Sequence, residues 1–126
     1  MFNWTKHNIF LTVILCETNL LSCKNETIAE FNIVNATNDK VDSLYILPDK
    51  SKGNILHLEP NSASSYNINM TDLPKVDGSF RLSFKLKNKK RIIPFGYYTN
   101  GYPLESSTKI EIHNDTVLIK PEYKNN

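Results

Sequence analysis

The chain has 126 residues, which is enough for one small domain and too few for two. Hydrophobic residues make up 40% of the chain and charged residues 22%, a balance typical of a globular protein and not of a disordered one. The net charge of +2 is too small to indicate nucleic acid or an anionic membrane surface as the partner.

The first residues have the layout of an export signal. Lys6 and His7 supply positive charge, and the apolar segment 9–16 follows them. This segment is far shorter than the ~20 apolar residues that span a bilayer. It therefore predicts a signal peptide over residues 1–22 and not a permanent transmembrane helix.

The tetrapeptide Leu20-Leu21-Ser22-Cys23 resembles the bacterial lipobox, in which Leu stands three residues before a Cys and a small residue directly before it. In that resemblance the Cys23 thiol is the nucleophile that receives a diacylglyceryl group, and the small Ser22 fits the signal peptidase. Two or three acyl chains anchor a protein stably where one chain does not. The alternative is a plain secretory signal, which the polar residues 17–19 before the box favour.

Together, the box, the composition and the size resemble small lipoproteins of the Bacteroidota, with specific similarity over residues 1–26. The resemblance implies a palmitate-type lipid anchor and an outer-membrane location. An acidic run behind the Cys directs such proteins to the cell surface, and only Glu26 stands there, so the surface and the periplasm both stay open. The implied organisation is a signal peptide (1–22), a lipidated tether (23–27), a folded domain (28–123) and a tail (124–126).

From Ile28 onward the apolar residues recur with a period of two, as they do in half-buried strands. The clearest segment places Phe80, Leu82, Phe84 and Leu86 on a dry face. The alternating polar residues Ser79, Arg81, Ser83, Lys85 and Lys87 are predicted to lie on a wet face. Other strands are predicted at 29–33, 44–47, 54–58, 66–70 and 109–113, with a turn at Asn114-Asp115 leading into a final strand at 116–120.

About seven or eight short strands separated by turn residues, with no helical period, predict an all-β fold. The expected architecture is an antiparallel β-sandwich of immunoglobulin-like type, and a small β-barrel is the alternative.

The segment 95–104 is the most unusual part of the predicted domain, because three tyrosines lie in it among two glycines and a proline. Tyrosines on a loop offer a large contact area with a polar tip, which suits the recognition of a protein or a glycan. The candidate binding residues are Tyr97, Tyr98, Asn100 and Tyr102. Alternation along a strand sends Tyr97 and Tyr98 to opposite sides. The other interpretation is that this segment covers the core at a corner of a sheet.

A second group of interest is basic: Lys85, Lys87, Lys89, Lys90 and Arg91 surround one predicted hairpin. Such a patch can meet a polyanion. The interpretation we favour is a solvated turn whose lysines protect a strand edge from aggregation, because no series of stacking aromatics accompanies them.

No catalytic motif is present. His57 and His113 stand at polar positions of predicted strands, without the spacing of metal ligands, so neither a metal nor another cofactor is expected. We therefore expect no enzymatic activity. Ser43 and Thr116, each between an Asp and an apolar residue, resemble the O-glycosylation acceptor of Bacteroidota.

The functional hypothesis from the sequence is a lipid-anchored extracytoplasmic module, with a binding or structural accessory role in a bacterial envelope. Its expected partners are the membrane, through the anchor, and a protein or glycan, with no nucleic acid. The alternative is an immunity or inhibitor lipoprotein that blocks a toxin or a hydrolase.

Overall fold

The computed structural model describes residues 25–49 and 54–124, and these residues form nine β-strands in two sheets. Sheet A has the strand order β4-β1-β8-β9, and sheet B has the order β3-β2-β5-β6-β7. The strands are β1 (Ile28–Asn35), β2 (Val41–Leu47), β3 (Leu56–Leu58), β4 (Ala63–Asn69), β5 (Gly78–Leu86), β6 (Lys89–Thr99), β7 (Tyr102–Pro103), β8 (Ser107–Ile112) and β9 (Val117–Glu122). This part of the chain contains no helix long and apolar enough to span a membrane.

The prediction of an all-β fold in the form of an antiparallel β-sandwich is confirmed, with nine strands in place of seven or eight. One strand pair differs from the predicted antiparallel arrangement: β1 runs parallel to β8 in the middle of sheet A. The predicted signal peptide and Cys23 lie outside the described residues.

The core lies between the two sheets and is built from the alternating apolar positions of their strands. Phe84, Leu82, Ile33 and Ile110 are fully buried. At one end the ring of Phe80 packs against those of Phe31, Phe95 and Tyr98 at centroid distances of 5.1, 5.7 and 5.2 Å. These aromatic contacts hold β1, β5 and β6 together, since each strand contributes at least one of the rings.

The two ends of the sandwich carry different turns and strand ends. The described chain enters at one of them, where β1 begins, and we call this the entry end. β4 and β9 finish there, β5 and β8 begin there, and the β6–β7 turn lies there, as the strand registers require. The opposite end, called the far end, carries the β3–β4, β5–β6 and β8–β9 turns.

Two hairpin turns use left-handed backbone conformations. Lys87 and Asn88 connect β5 to β6 with φ values of 52° and 60°, and Asn100 and Gly101 connect β6 to β7 with φ values of 51° and 75°. Positive φ at both central residues matches the right-handed twist of the flanking strands.

The predicted alternation of β5 is correct at every apolar position and wrong at one polar position. Ser83 was expected on the wet face, but only 2% of it is exposed. It lies directly across from Tyr45 of β2 and Ile92 of β6, which cover it from both sides. The strand predicted over 54–58 is also shorter, since β3 comprises only Leu56–Leu58.

A candidate binding face on sheet B

The outer face of sheet B brings together residues that are far apart in the sequence. Register pairs Leu47, Arg81 and Pro94 in one row, Tyr45, Ser83 and Ile92 in the next, and Asp42, Lys85 and Lys90 in a third. We call these nine residues the cationic face. Its three cations surround an apolar strip in which Leu47 and Ile92 are 39% and 53% exposed.

Positive charge dominates this face. Arg81, Lys85 and Lys90 form no ion pair with another residue of the described segments, whereas the carboxylate of Asp42 is held by the imidazole Nδ1 of His57. That hydrogen bond lowers the pKa of Asp42 below its ordinary value. With Arg81, Lys85 and Lys90 positive and Asp42 negative, the cationic face has a net charge of +2 over a solvent-exposed sheet surface.

Tyr45 lies at the centre of the face and links its polar groups. A hydrogen bond with Ser83 lowers the pKa of the Tyr45 phenol, and the nearby charges of Lys90 and Arg81 act in the same direction. The phenol thus lies near the buried Ser83 hydroxyl and two exposed cations. Such an arrangement of donors is suited to an anionic group of a partner.

A cleft of about 440 Å³ opens beside the face at the entry end. Its volume falls within the range of ~300–1,000 Å³ that is usual for ligand sites. Arg81 belongs both to the face and to the cleft wall, which places a guanidinium at the boundary between them. The cleft is lined by Leu47, Pro48, Asp49, Leu73, Ser79, Arg81 and Tyr98.

The structure divides the tyrosines of the predicted binding loop between different environments. Tyr97 is 66% exposed, while Tyr98 is half-buried against Phe80, so these neighbours do lie on opposite sides as predicted. Tyr98 is therefore a packing residue that also lines the cleft. Asn100 belongs to the turn, where its backbone N–H donates to Asp77 Oδ1 at 2.8 Å.

Tyr102 directly follows the same turn, at the start of β7, and is 53% exposed. The ammonium group of Lys75 stands 5.5 Å from its ring centroid, a cation–π contact at the entry end. The four residues predicted as one binding loop thus occupy a packing position, a turn and two separate exposed positions.

The two residues that resemble glycosylation acceptors also differ in their surroundings. Ser43 lies at a bulge in β2 with a φ of 50°, and its N–H donates to Asp42 Oδ1 at 2.9 Å. Thr116 is exposed in the β8–β9 turn, where its carbonyl accepts from the N–H of His113 at 2.9 Å.

A second charged cluster lies on sheet A around Glu111. Lys109 and Lys120 approach its carboxylate at 3.2 and 3.3 Å, and His113 approaches it at 3.5 Å. Hydrogen bonds from the two lysines lower the pKa of Glu111. Across the described ranges, no three His, Cys, Asp or Glu side chains are grouped so that they can hold a metal ion.

No protein-family model matches this chain, and no curated protein is significantly similar to it. Arg81, Tyr45 and Ile92 were not singled out from the sequence. The detectable signal was the alternation in β6, in which exposed Lys90, Ile92 and Pro94 share one side.

Proposed function

We propose that this chain is a lipid-anchored binding module of a bacterial envelope, in which Cys23 carries the acyl chains and the cationic face binds an acidic partner. The partner is a protein or a glycan that presents carboxylate or other anionic groups on the module's side of the membrane. The role is that of a non-enzymatic accessory protein.

The observation that carries the binding role is the cationic face. Exposed apolar side chains contribute affinity when a partner covers them, and the cations around them favour an acidic partner and reject a basic one. The phenol of Tyr45 is the central anchor, because tyrosine combines apolar contact area with a polar tip. The cleft beside Arg81 can receive a side group of the partner and so add selectivity.

The support for the anchor comes from the position of Cys23 relative to the fold. The lipobox-like residues 20–23 end only five residues before Ile28, where β1 begins. The connection is long enough to join an acylated Cys23 to the fold and too short for a further domain.

For the anchor, we expect the Cys23→Ala variant to lose labelling by a palmitate analogue and to leave the membrane fraction, because no acyl chain can then be attached. Cys16→Ala is the matched control and should keep both properties. Membrane association that persists in the Cys23→Ala variant would rule out the lipid anchor.

For the cationic face, we expect a Lys85→Glu/Lys90→Glu variant to bind immobilised heparin, used as a polyanionic probe, at least about tenfold more weakly, a loss of roughly 1.4 kcal/mol. The matched control is Lys120→Glu/Lys124→Glu, which makes the same change of net charge on β9 and the tail. It should bind nearly as well as the unmodified chain, measured by salt-gradient elution. Equal losses in the two variants would contradict a localised binding face.

A further inference from the structure

A separate exposed apolar surface lies at the entry end. It comprises Val76, Tyr102, Leu104 and Tyr123, which are 54%, 53%, 54% and 64% exposed. We call these four residues the entry-end patch. Large apolar side chains grouped at one end of a small domain mark a contact surface. None of the four belongs to the cationic face.

Hydrogen bonds fix the patch directly beside the point at which the chain enters the fold. The N–H of Gly101 donates to the carbonyl of Val76 at 3.0 Å, which holds Val76 beside Tyr102. Leu104 and Tyr123 line the same groove as Ile28, the first residue of β1. Thr27 is itself fixed, since its N–H donates to Thr71 Oγ1 at 2.9 Å and its carbonyl accepts from Met70 N at 2.7 Å.

The short connection limits how far this end can stand from a membrane. Four residue steps separate Cys23 from Thr27, so the two Cα atoms are at most about 14 Å apart even in a fully extended chain. The headgroup layer of one leaflet is itself ~5–8 Å thick. With Cys23 acylated, Thr27 therefore lies close to the headgroups, and the entry-end patch lies at the same end of the sandwich.

The chemistry of the patch fits the membrane interface. Tyrosines with an apolar body and a polar tip are enriched at the headgroup level, and the ammonium of Lys75 next to Tyr102 can reach phosphate. Three carboxylates, those of Glu30, Glu105 and Glu122, and one ammonium group, that of Lys124, line the adjoining groove. The net negative charge of this groove repels anionic phospholipids and attracts the ammonium group of phosphatidylethanolamine.

We propose that the entry-end patch rests in the headgroup layer of a zwitterionic, phosphatidylethanolamine-rich leaflet and holds the sandwich upright on the membrane. This inference rests on the proposed lipid anchor at Cys23. In this orientation the strands of sheet B rise away from the bilayer, and the cationic face stays accessible from the side. Anchor and patch together form two membrane contacts, which restrict rotation in a way that one contact alone does not.

The test uses the acylated protein, purified from membranes and reconstituted into vesicles of phosphatidylethanolamine and phosphatidylcholine. The chain from Cys23 onward contains no tryptophan, because the single one is Trp4. A Tyr102→Trp variant therefore introduces a unique fluorophore at the patch. We expect its emission to shift to shorter wavelength and to lose intensity when the phosphatidylcholine carries bromine. Leu118→Trp, on β9 away from the patch, is the matched control and should show neither change.

Two further measurements separate docking from mere closeness to the membrane. Adding Leu104→Ser/Tyr123→Ser to the Tyr102→Trp variant should abolish the spectral shift, and replacing part of the zwitterionic lipid by phosphatidylglycerol should weaken it. An unchanged shift in the Leu104→Ser/Tyr123→Ser background, or a shift strengthened by anionic lipid, would overturn the proposal. The lipid titration needs no added substitution, so it decides the matter even if that variant unfolds.

Failure of the inference and failure of the anchor give different results. Mass spectrometry of the purified protein reports acylation directly. Acylated protein whose tryptophan at position 102 remains solvated would overturn the patch proposal and leave the anchor intact. Protein without acyl chains would overturn the anchor, and the patch proposal with it.

Discussion

Replacing Phe84 by Asp is expected to abolish or nearly abolish folding, at a cost of at least about 4–5 kcal/mol. Phe84 is fully buried in the centre of β5, between the two sheets. The substitution removes a large packed side chain and introduces a carboxylate without a buried partner. Since small domains have only ~5–15 kcal/mol of stability, a loss of this size consumes most or all of it. Urea unfolding of the purified chain measures the effect.

Two matched variants show whether the cost has this origin. Lys85→Asp changes the next residue, which faces solvent, and should alter the free energy of unfolding by only about 0.5 kcal/mol. Phe84→Asn removes the same ring without adding a charge. Because the guanidinium of Arg91 stands 5.5 Å from the Phe84 ring centroid, an ion pair in the aspartate variant is the competing outcome. An aspartate variant more stable than the asparagine variant would show that Arg91 rescues the charge, contrary to our expectation.

The strand pattern was predictable because it depends on residues close together in the sequence. Apolar residues at every second position of β5 define its buried face without knowledge of any neighbour. The two-residue turn at Asn114-Asp115 likewise follows from local turn chemistry. These features required no information about which strands pair.

The pairing of strands that are distant in the sequence was not predictable. The burial of Ser83 and the direction of β1 relative to β8 both depend on that pairing. Alternation along β5 predicts that Ser83 faces solvent, but Tyr45 and Ile92 from two other strands cover it. The parallel pairing of β1 with β8 joins segments about 75 residues apart, and nothing local in either strand indicates its direction. Long-range pairing has a large loop-closure cost that only the whole fold repays.

The candidate site was only partly predictable for the same reason. The sequence indicated an aromatic loop and a basic hairpin as two separate features. In the structure, the basic residues Lys85 and Lys90 share one face with Tyr45. Tyr102 lies on another surface, at the entry end. The cationic face is assembled from β2, β5 and β6, so it exists only after these strands have paired.

A buried polar network at the far end was also invisible in the sequence. Asn35 ends β1 with no exposed surface, and Thr37 beside it is only 2% exposed. The Asn35 side-chain amide donates to the carbonyls of Asp39, Leu58 and Glu59 at 2.8, 3.2 and 3.1 Å. Its Oδ1 accepts from the backbone N–H and the hydroxyl of Thr37 at 3.1 and 2.7 Å. One side chain thus ties the end of β1 to the loop before β2 and to the end of β3.

Replacing Asn35 by Leu is therefore expected to destabilise the fold by roughly 3 kcal/mol or more, since each buried polar group left without a partner costs about 1–3 kcal/mol. For a domain of this size, that loss lowers the melting temperature by roughly 10–20 °C. Asn32→Leu is the matched control, because Asn32 lies on the same strand and is exposed. It should change the melting temperature little. Asn35→Asp keeps the acceptor for Thr37 but directs a carboxylate oxygen at the three carbonyl oxygens, so it should destabilise the fold at least as much as Asn35→Leu. An Asn35→Leu variant as stable as the Asn32→Leu variant would show that water or loop movement satisfies these groups, and that the network does not hold the far end together.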